Sequence, residues 1–270
     1  MQSDAIIDVA VHAARRAASV IVDAARDLQR LPAHVKANDL VLASKAEAED
    51  AIVATLRTSF PNYAILGEES AEIAGARDGS GYKWIVHGID GGVNFAHRYP
   101  HYAVALALVH GARLTHAVVL DPVHDELFAA VAAHGAALNG VPIHVSACAV
   151  LADALVSTGV PPQGSPQMDF HVVVSAAMSA RCGGVRCIGS SALDLAYVAA
   201  GRLDGLCVMG VQGWDLAAGA LIVQEAGGRV GDLAGNPEFL KSTDVIAATP
   251  AIFNPLRDIV ASARRPGVAS

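Results

Sequence analysis

Aromatic side chains are scarce in this chain: six Phe, five Tyr and two Trp, 5% of 270 residues. Hydrophobic residues nevertheless make up 53%, so the core is built mainly from Ala, Val and Leu. Cysteine is also sparse. Cys148, Cys182, Cys187 and Cys207 show no Cys-x-x-Cys spacing, which argues against a zinc site and for free, buried thiols. Positive charge is thin: the formal net charge is -7, and no basic cluster goes beyond an adjacent pair such as Arg264-Arg265. That argues against nucleic acid as the main partner. No apolar run approaches the roughly 20 residues that a bilayer-spanning helix needs. The first residues carry Asp4 and Asp8 where a secretion signal would be basic and then apolar. The expectation is a cytoplasmic protein with no membrane partner.

A chain of this length can bury a large core, as one big domain or two closely joined halves. Apolar residues at three- and four-residue spacing (Ile6, Val9, Ala10, Ala13, Ala17) predict an amphipathic helix over 3–31. A second helix is expected over 44–59, with Ser44 as its N-cap and Glu47 at the capping-box position. Pro61 ends it, because the residue before a proline is pushed out of helical geometry. A short strand at 63–66 then delivers Glu68 and Glu69. Runs at 84–87, 102–110, 115–121 and 126–132 read as an antiparallel meander, with turns at Gly111 and Asp121-Pro122.

After a strand at 154–157 the rhythm changes to strand–helix alternation. Helices are expected near 170–180, 191–200, 214–225 and 250–263, and strands at 185–188, 205–208 and 245–248. The boundary near residue 150 divides 1–150, an α+β half with an antiparallel sheet, from 151–270, an α/β half. His97, His101, His110, His116 and His124 are read as solvent-facing, and Asp194 and Asp204 as caps or loop acids.

One stretch concentrates chemistry: Trp84-Ile85-Val86-His87-Gly88-Ile89-Asp90-Gly91-Gly92-Val93-Asn94-Phe95. Its apolar start reads as a buried strand and its glycines as a tight turn, so Asp90 emerges where backbone can approach a ligand. Acids recur in similar surroundings at Gly67-Glu68-Glu69 and Gly213-Trp214-Asp215. Three such acids suggest one shared site. These segments, with 188–196 and Gln224-Glu225-Ala226-Gly227-Gly228, resemble the inositol monophosphatase family, the magnesium-dependent, lithium-sensitive sugar-phosphate phosphatases. The resemblance covers nearly the whole chain. It implies an α/β (α+β) fold, a layered αβαβα sandwich with the site between the two halves, and a homodimer as in much of the family.

The resemblance also implies a metal set. Glu68, Asp90, Asp215 and the Ile89 carbonyl match family ligands for hard divalent cations, which activate water and stabilise the leaving oxygen. The departures fall inside the same motifs. By the resemblance, His87 stands at a ligand aspartate, Gly92 at the threonine that activates water, and Lys45 at a further aspartate. Exchanging one aspartate for lysine and another for neutral histidine makes the pocket about three charges more positive, and a like charge near a dication opposes it by several kcal/mol. Val208 takes the position of a glutamate that binds polyol hydroxyls, while the 189–192 backbone, with Ser190 and Ser191, keeps N–H donors at a helix start.

Several readings stand side by side. His87 is either a hydrogen-bonded core histidine or a ligand selecting zinc or manganese. Lys45 is either a solvated helix lysine or a cation bound to Glu68 or Asp90 in place of a metal. Gly92 is either a turn residue or part of the changed site. Taken together, the leading expectation is an enzyme repurposed for a non-phosphatase step on a small molecule in biosynthetic metabolism, a cyclisation, elimination or isomerisation. Lys45, Glu68, His87, Asp90 and Asp215 are its candidate catalytic groups, and Gly91, Gly92, Ser190, Ser191 and Val208 its candidate binding residues. No cofactor is required by this reading, although magnesium or another divalent cation is compatible with it. The alternatives are a metal-dependent phosphomonoesterase acting on a sugar or polyol phosphate, and a non-catalytic binding protein.

Overall fold

The computed structural model describes residues 5–30, 38–70, 72–76, 79–242 and 244–263. Two long helices, α1 (Ala5–Arg30) and α2 (Asn38–Ser59), precede a run of seven strands: β1 (Ala64–Leu66), β2 (Tyr82–Asp90), β3 (Ala103–His110), β4 (Arg113–Asp121), β5 (Glu126–Val131), β6 (Ala136–Leu138) and β7 (Val141–Ile143). They form one sheet in sequence order, antiparallel throughout except that β1 runs parallel to β2. A one-turn helix, α3 (Gly92–Ala96), follows β2 directly.

The rest of the chain supplies β8 (Leu155–Thr158), α4 (Met168–Arg181), β9 (Gly184–Arg186), α5 (Ser191–Ala199), β10 (Gly205–Met209), α6 (Gly213–Glu225), β11 (Arg229–Gly231), β12 (Asp244–Ala248) and α7 (Pro250–Ala263). Its sheet has the order β11-β12-β10-β8-β9, with β8 parallel to both neighbours.

Alternation along the strands sorts these elements into five layers. On β3, Val104, Leu106 and Leu108 join the core beneath α1 and α2, while Ala103, Ala105 and Ala107 face α5 and α6. The small alanines let α6 lie close against the sheet. On the far side of α5 and α6 come β10 and β12, and beyond that sheet a third core packs α4 and α7. The expected αβαβα sandwich is therefore the observed one. Gly219 shows how tight its centre is: a Cβ there would sit 2.4 Å from Leu195 Cβ. Among the described residues no helix is long and apolar enough to cross a membrane.

Four expectations are corrected. α2 begins at Asn38, so Ser44 is no N-cap; it lies inside the helix, buried, with its Oγ donating to the Leu40 carbonyl at 2.6 Å. The extra turn forms because Val41 packs into the core under α1, which outweighs the local capping signal. His101 and His116 are buried rather than solvent-facing. Asp194 is neither cap nor loop acid: it is buried in the first turn of α5 and accepts from Ser157 Oγ at 2.6 Å. The four cysteines are free, but only Cys207 is fully buried and Cys187 is exposed. The three-residue strands β6, β7 and β11 and the short α3 escaped sequence reading, because so few residues carry no periodicity. Residues 1–4, 31 and 264–270, on which the helix-end, signal and Arg264-Arg265 readings fell, lie outside the described residues.

Candidate active site

The site is built where β2 breaks its own alternation. His87 pairs with Ala105 and Asp90 with Ala103, so three steps on β2 span two on β3. This extra residue is a β-bulge, and it changes which side chains share a face. Trp84 and Val86 point into the core under α2, and so does Ile89, after the shift in parity. His87 and Asp90 are thereby brought to the opposite face together. Without the bulge, residues three apart on a strand would point opposite ways. Gly91 then takes a left-handed φ of 84°, and a Cβ there would lie 2.9 Å from the His101 carbonyl oxygen, so only glycine fits the turn into α3.

Helix α2 presses on this strand at Gly88, where a Cβ would meet the Lys45 carbonyl oxygen at 2.9 Å. That approach aims Lys45 across the strand end. The loop after β1 is shaped by Glu49, one helical turn beyond Lys45. Its buried carboxylate accepts from the backbone N–H groups of Glu69 (3.0 Å) and Ser70 (2.9 Å) and from Ser70 Oγ (2.6 Å). Gly67 leaves the room this needs, since a Cβ would stand 2.1 Å from Glu49 Oε1. The loop so held turns Glu68 and Glu69 toward Lys45.

The result is a chain of charged groups. Lys45 Nζ donates to Glu68 Oε1 at 2.6 Å and lies 3.4 Å from Glu69 Oε1. Glu68 Oε2 is 2.8 Å from His87 Nε2. Because an ionised carboxylate only accepts, the hydrogen-bonded Nε2 carries the proton, and Nδ1 faces the other way. Asp215, in the first turn of α6, places Oδ1 3.2 Å from that Nδ1. The separation suits an ion pair, but the alignment makes no hydrogen bond, and Nδ1 is left without one. Asp215 Oδ2 is held by the Gln212 N–H at 2.7 Å. Asp90 is fixed from the other half: its Oδ2 accepts from Ser190 Oγ at 2.5 Å and from the Ala192 N–H at 2.8 Å, at the start of α5. His87, Asp90 and Asp215 each bring a donor atom within 4.8 Å of the others.

Burial alone would raise the Glu68 carboxyl, but hydrogen bonds and charge from His87 and then Lys45 bring it down to about 2. Burial likewise works against charge on His87 and Lys45. In both cases the acids win: Glu68, Asp90 and Asp215 raise His87, and Glu68 with Glu69 raises Lys45. Lys45 is thus held as an ammonium and is no free amine nucleophile. Asp215 goes the opposite way, pushed up to about 6 by burial and by Asp90 against the pull of His87.

Of the other candidates, Gly92 opens α3 with its Cβ direction 3.9 Å from Lys45 Nζ, so a side chain there would point at the ammonium. Ser191 is the first residue of α5. Ile89 turns its side chain into the core, and Val208 is 1% exposed on β10 among the residues packed between the sheets. Sequence reasoning missed two supports, Glu49 and Asn94. Asn94 Nδ2 donates to the carbonyls of His101 and Ile188, both at 2.8 Å, and so ties α3 to the loop before α5. Glu49 was findable in principle, four residues after Lys45 on the same helix face.

The family model for the inositol monophosphatase family matches residues 2–264. The chain belongs to the inositol monophosphatase family. The Nus factor SuhB of Pseudomonas aeruginosa is 41% identical over 254 residues, 93% of this chain and 94% of that one. The structure of the extragenic suppressor protein suhB from Bartonella henselae is similar with a TM-score of 0.86 at 35% identity, covering 96% of this chain and 100% of that one. The inositol monophosphatase from Anabaena (Nostoc) gives 0.85 at 30%, covering 96% of both.

Membership implies hard divalent cations on an all-oxygen donor set, and the residues present do not fit that set. Both Glu68 oxygens are engaged, one by an ammonium and one by an imidazole N–H. A nitrogen replaces an oxygen at His87, and magnesium takes oxygen ligands. The Lys45 ammonium, 2.6 Å from Glu68 Oε1, adds positive charge that opposes a cation on that carboxylate.

Proposed function

We propose that this family member converts a small molecule by a step other than magnesium-dependent phosphate-ester hydrolysis, of the elimination, isomerisation or cyclisation type. The observation that carries this reading is the Lys45–Glu68–His87 chain, which withdraws Glu68 from any cation and puts a fixed positive charge beside it. Each residue then has a role that its geometry supports. Lys45 holds Glu68, Glu68 orients His87, and the start of α5 holds Asp90. His87 Nδ1 and Asp215 Oδ1 are the pair left to exchange a proton with a ligand. In an elimination the pair takes one proton from carbon and returns one to the departing hydroxyl, which leaves as water. In an isomerisation the same proton returns to a different atom. Neither needs an oxidant or reductant. Gly92 leaves space beside the ammonium for the ligand's own atoms.

Two measurements on the purified chain test this together: magnesium calorimetry, and phosphate release from a panel of polyol and sugar phosphates. The expected result is no saturable micromolar binding and no release above the blank. Tight magnesium binding with rapid phosphate release refutes the reading.

A second reading is favoured by the name that several relatives share, Nus factor. On it the chain acts as such a factor and its pocket serves stability alone. Complementation of a bacterial strain lacking its own relative separates the two: full rescue by Lys45→Met and His87→Ala variants supports the second reading, and loss of rescue by folded variants supports the first.

A further inference from the structure

β1, β2 and α6 carry Glu68, His87 and Asp215 at or just beyond one end, and their other ends meet in a groove of about 970 Å³. We propose that this groove binds an anionic amphiphile, a small molecule with a compact apolar body and one oxyanionic head, anchored by Arg113 and Lys83. The site goes beyond the reaction read above and does not depend on it.

The floor of the groove follows from strand parity. Ile65, Trp84 and Val86 face the core under α1 and α2, so Ala64, Leu66, Lys83 and Ile85 face the other way, into the groove. Ala64 pairs with Lys83 and Lys83 with Val109, which sets one row across β1, β2 and β3. Leu66 and Ile85 pair in a second row. The last turn of α6, with Leu221, forms one wall, and Phe239 and Leu240 of a 3-10 turn (Phe239–Lys241) form another. Neither wall seals the floor. Ala64, Leu66 and Ile85 are only half-buried, whereas Ala105 and Ala107 of β3, on the same face under α6, are fully covered. An apolar floor left wet between two apolar walls gains by taking up an apolar body, and small-molecule sites commonly have volumes of roughly 300–1,000 Å³.

The charges around the groove decide the sign of the ligand. Its acids are already engaged. Glu72 pairs with Lys83 at 2.6 Å and Glu238 with Lys241 at 3.1 Å. Glu225 accepts from the Ala133 N–H on one oxygen and the Gly135 N–H on the other, both at 2.9 Å. Arg113, exposed at the start of β4, makes no ion pair among the described residues. Its planar fork of donors suits an oxyanion, and a cationic head would find no acid equally free. Lys83 rises from the floor between Ala64 and Val109, with its side chain 39% exposed, so its ammonium is within reach of the same head while its stem lies along apolar surface.

The test is a fluorescence titration of the full chain with 8-anilinonaphthalene-1-sulfonate, an anionic aromatic probe, beside its uncharged analogue N-phenyl-1-naphthylamine. One saturable site per chain is expected, with the sulfonate bound more tightly than the analogue and displaced by sodium decanoate. Ala64→Phe fills the floor and weakens the sulfonate about ten-fold or more, with an unchanged unfolding midpoint. Arg113→Gln, at an exposed position, weakens it about 2–5-fold and removes the preference over the uncharged analogue. Leu42→Asn, at an exposed leucine on α2 outside the groove, leaves binding as it was. No saturable site overturns the proposal, as does parental binding by Ala64→Phe or a charge preference that survives Arg113→Gln. Loss of binding in Leu42→Asn places the probe elsewhere and overturns it too. So does a change of oligomeric state in Ala64→Phe by sedimentation, which would show that a second copy of the chain covers the groove. None of these readouts involves the proposed reaction, whose own test is phosphate release and magnesium binding.

Discussion

Replacing Lys45 by methionine probes the reasoning most directly, because it deletes the ammonium and keeps most of the aliphatic stem. At 2.6 Å and an effective dielectric of about 20, the Lys45–Glu68 attraction is about 6 kcal/mol before desolvation. Burying the two ions costs several kcal/mol, which cancels much of that in the intact pair. The substitution, however, leaves Glu68 and Glu69 facing each other without the cation, and only Glu68 keeps another partner, His87. Breaking a fully buried pair costs about 3–5 kcal/mol. With side chains 15% and 28% exposed, solvent screening reduces this, and we expect Lys45→Met to destabilise by about 2–3 kcal/mol. Urea unfolding at neutral pH without divalent cations measures it, with an unchanged slope showing that only stability has moved. Adding Glu68→Gln completes a double-mutant cycle, with an expected coupling of about 1–2 kcal/mol. A Lys45→Met midpoint that stays within about 0.5 kcal/mol of the parent, or no coupling to Glu68, would refute the buried chain of charges.

Restoring Lys45→Asp, His87→Asp and Gly92→Thr together should give saturable magnesium binding and magnesium-dependent phosphate release, with single reversions doing little; a triple variant that binds no magnesium by calorimetry contradicts the ligand assignment. Gly219→Ala forces a methyl to 2.4 Å from Leu195 Cβ and should cost about 1–3 kcal/mol in urea unfolding. Glu49→Ala removes three hydrogen bonds to the 69–70 segment and should destabilise by about 2–4 kcal/mol, with faster amide exchange concentrated in that loop. The Cys207 thiol, pushed up to about 12 by burial and then by Asp244, should resist a thiol reagent until unfolding, while exposed Cys187 reacts in the native protein; immediate labelling of Cys207 would contradict its burial.

Local spacing carried a good deal of this protein. The apolar repeat of α1, the Gly111 and Asp121-Pro122 turns of the meander, and the strand–helix alternation after residue 150 are signals within a few neighbouring residues, and those elements formed close to their expected places. The pairing of Lys45 with Glu68 was expected from the resemblance alone, which brings the 39–45 segment and Gly67-Glu68-Glu69 to one site. What sequence could not supply was facing. His87 and Asp90 share a face only because of the bulge opposite Ala103 and Ala105, and a bulge is a property of the paired strands. Ser190 reaches Asp90 across 100 residues, and Asp215 reaches His87 only because α6 lies between the sheets. The early start of α2 and the burial of His101, His116 and Asp194 came from the same source. Periodicity describes each element's own faces, whereas the stacking of five layers decides which of those faces meet.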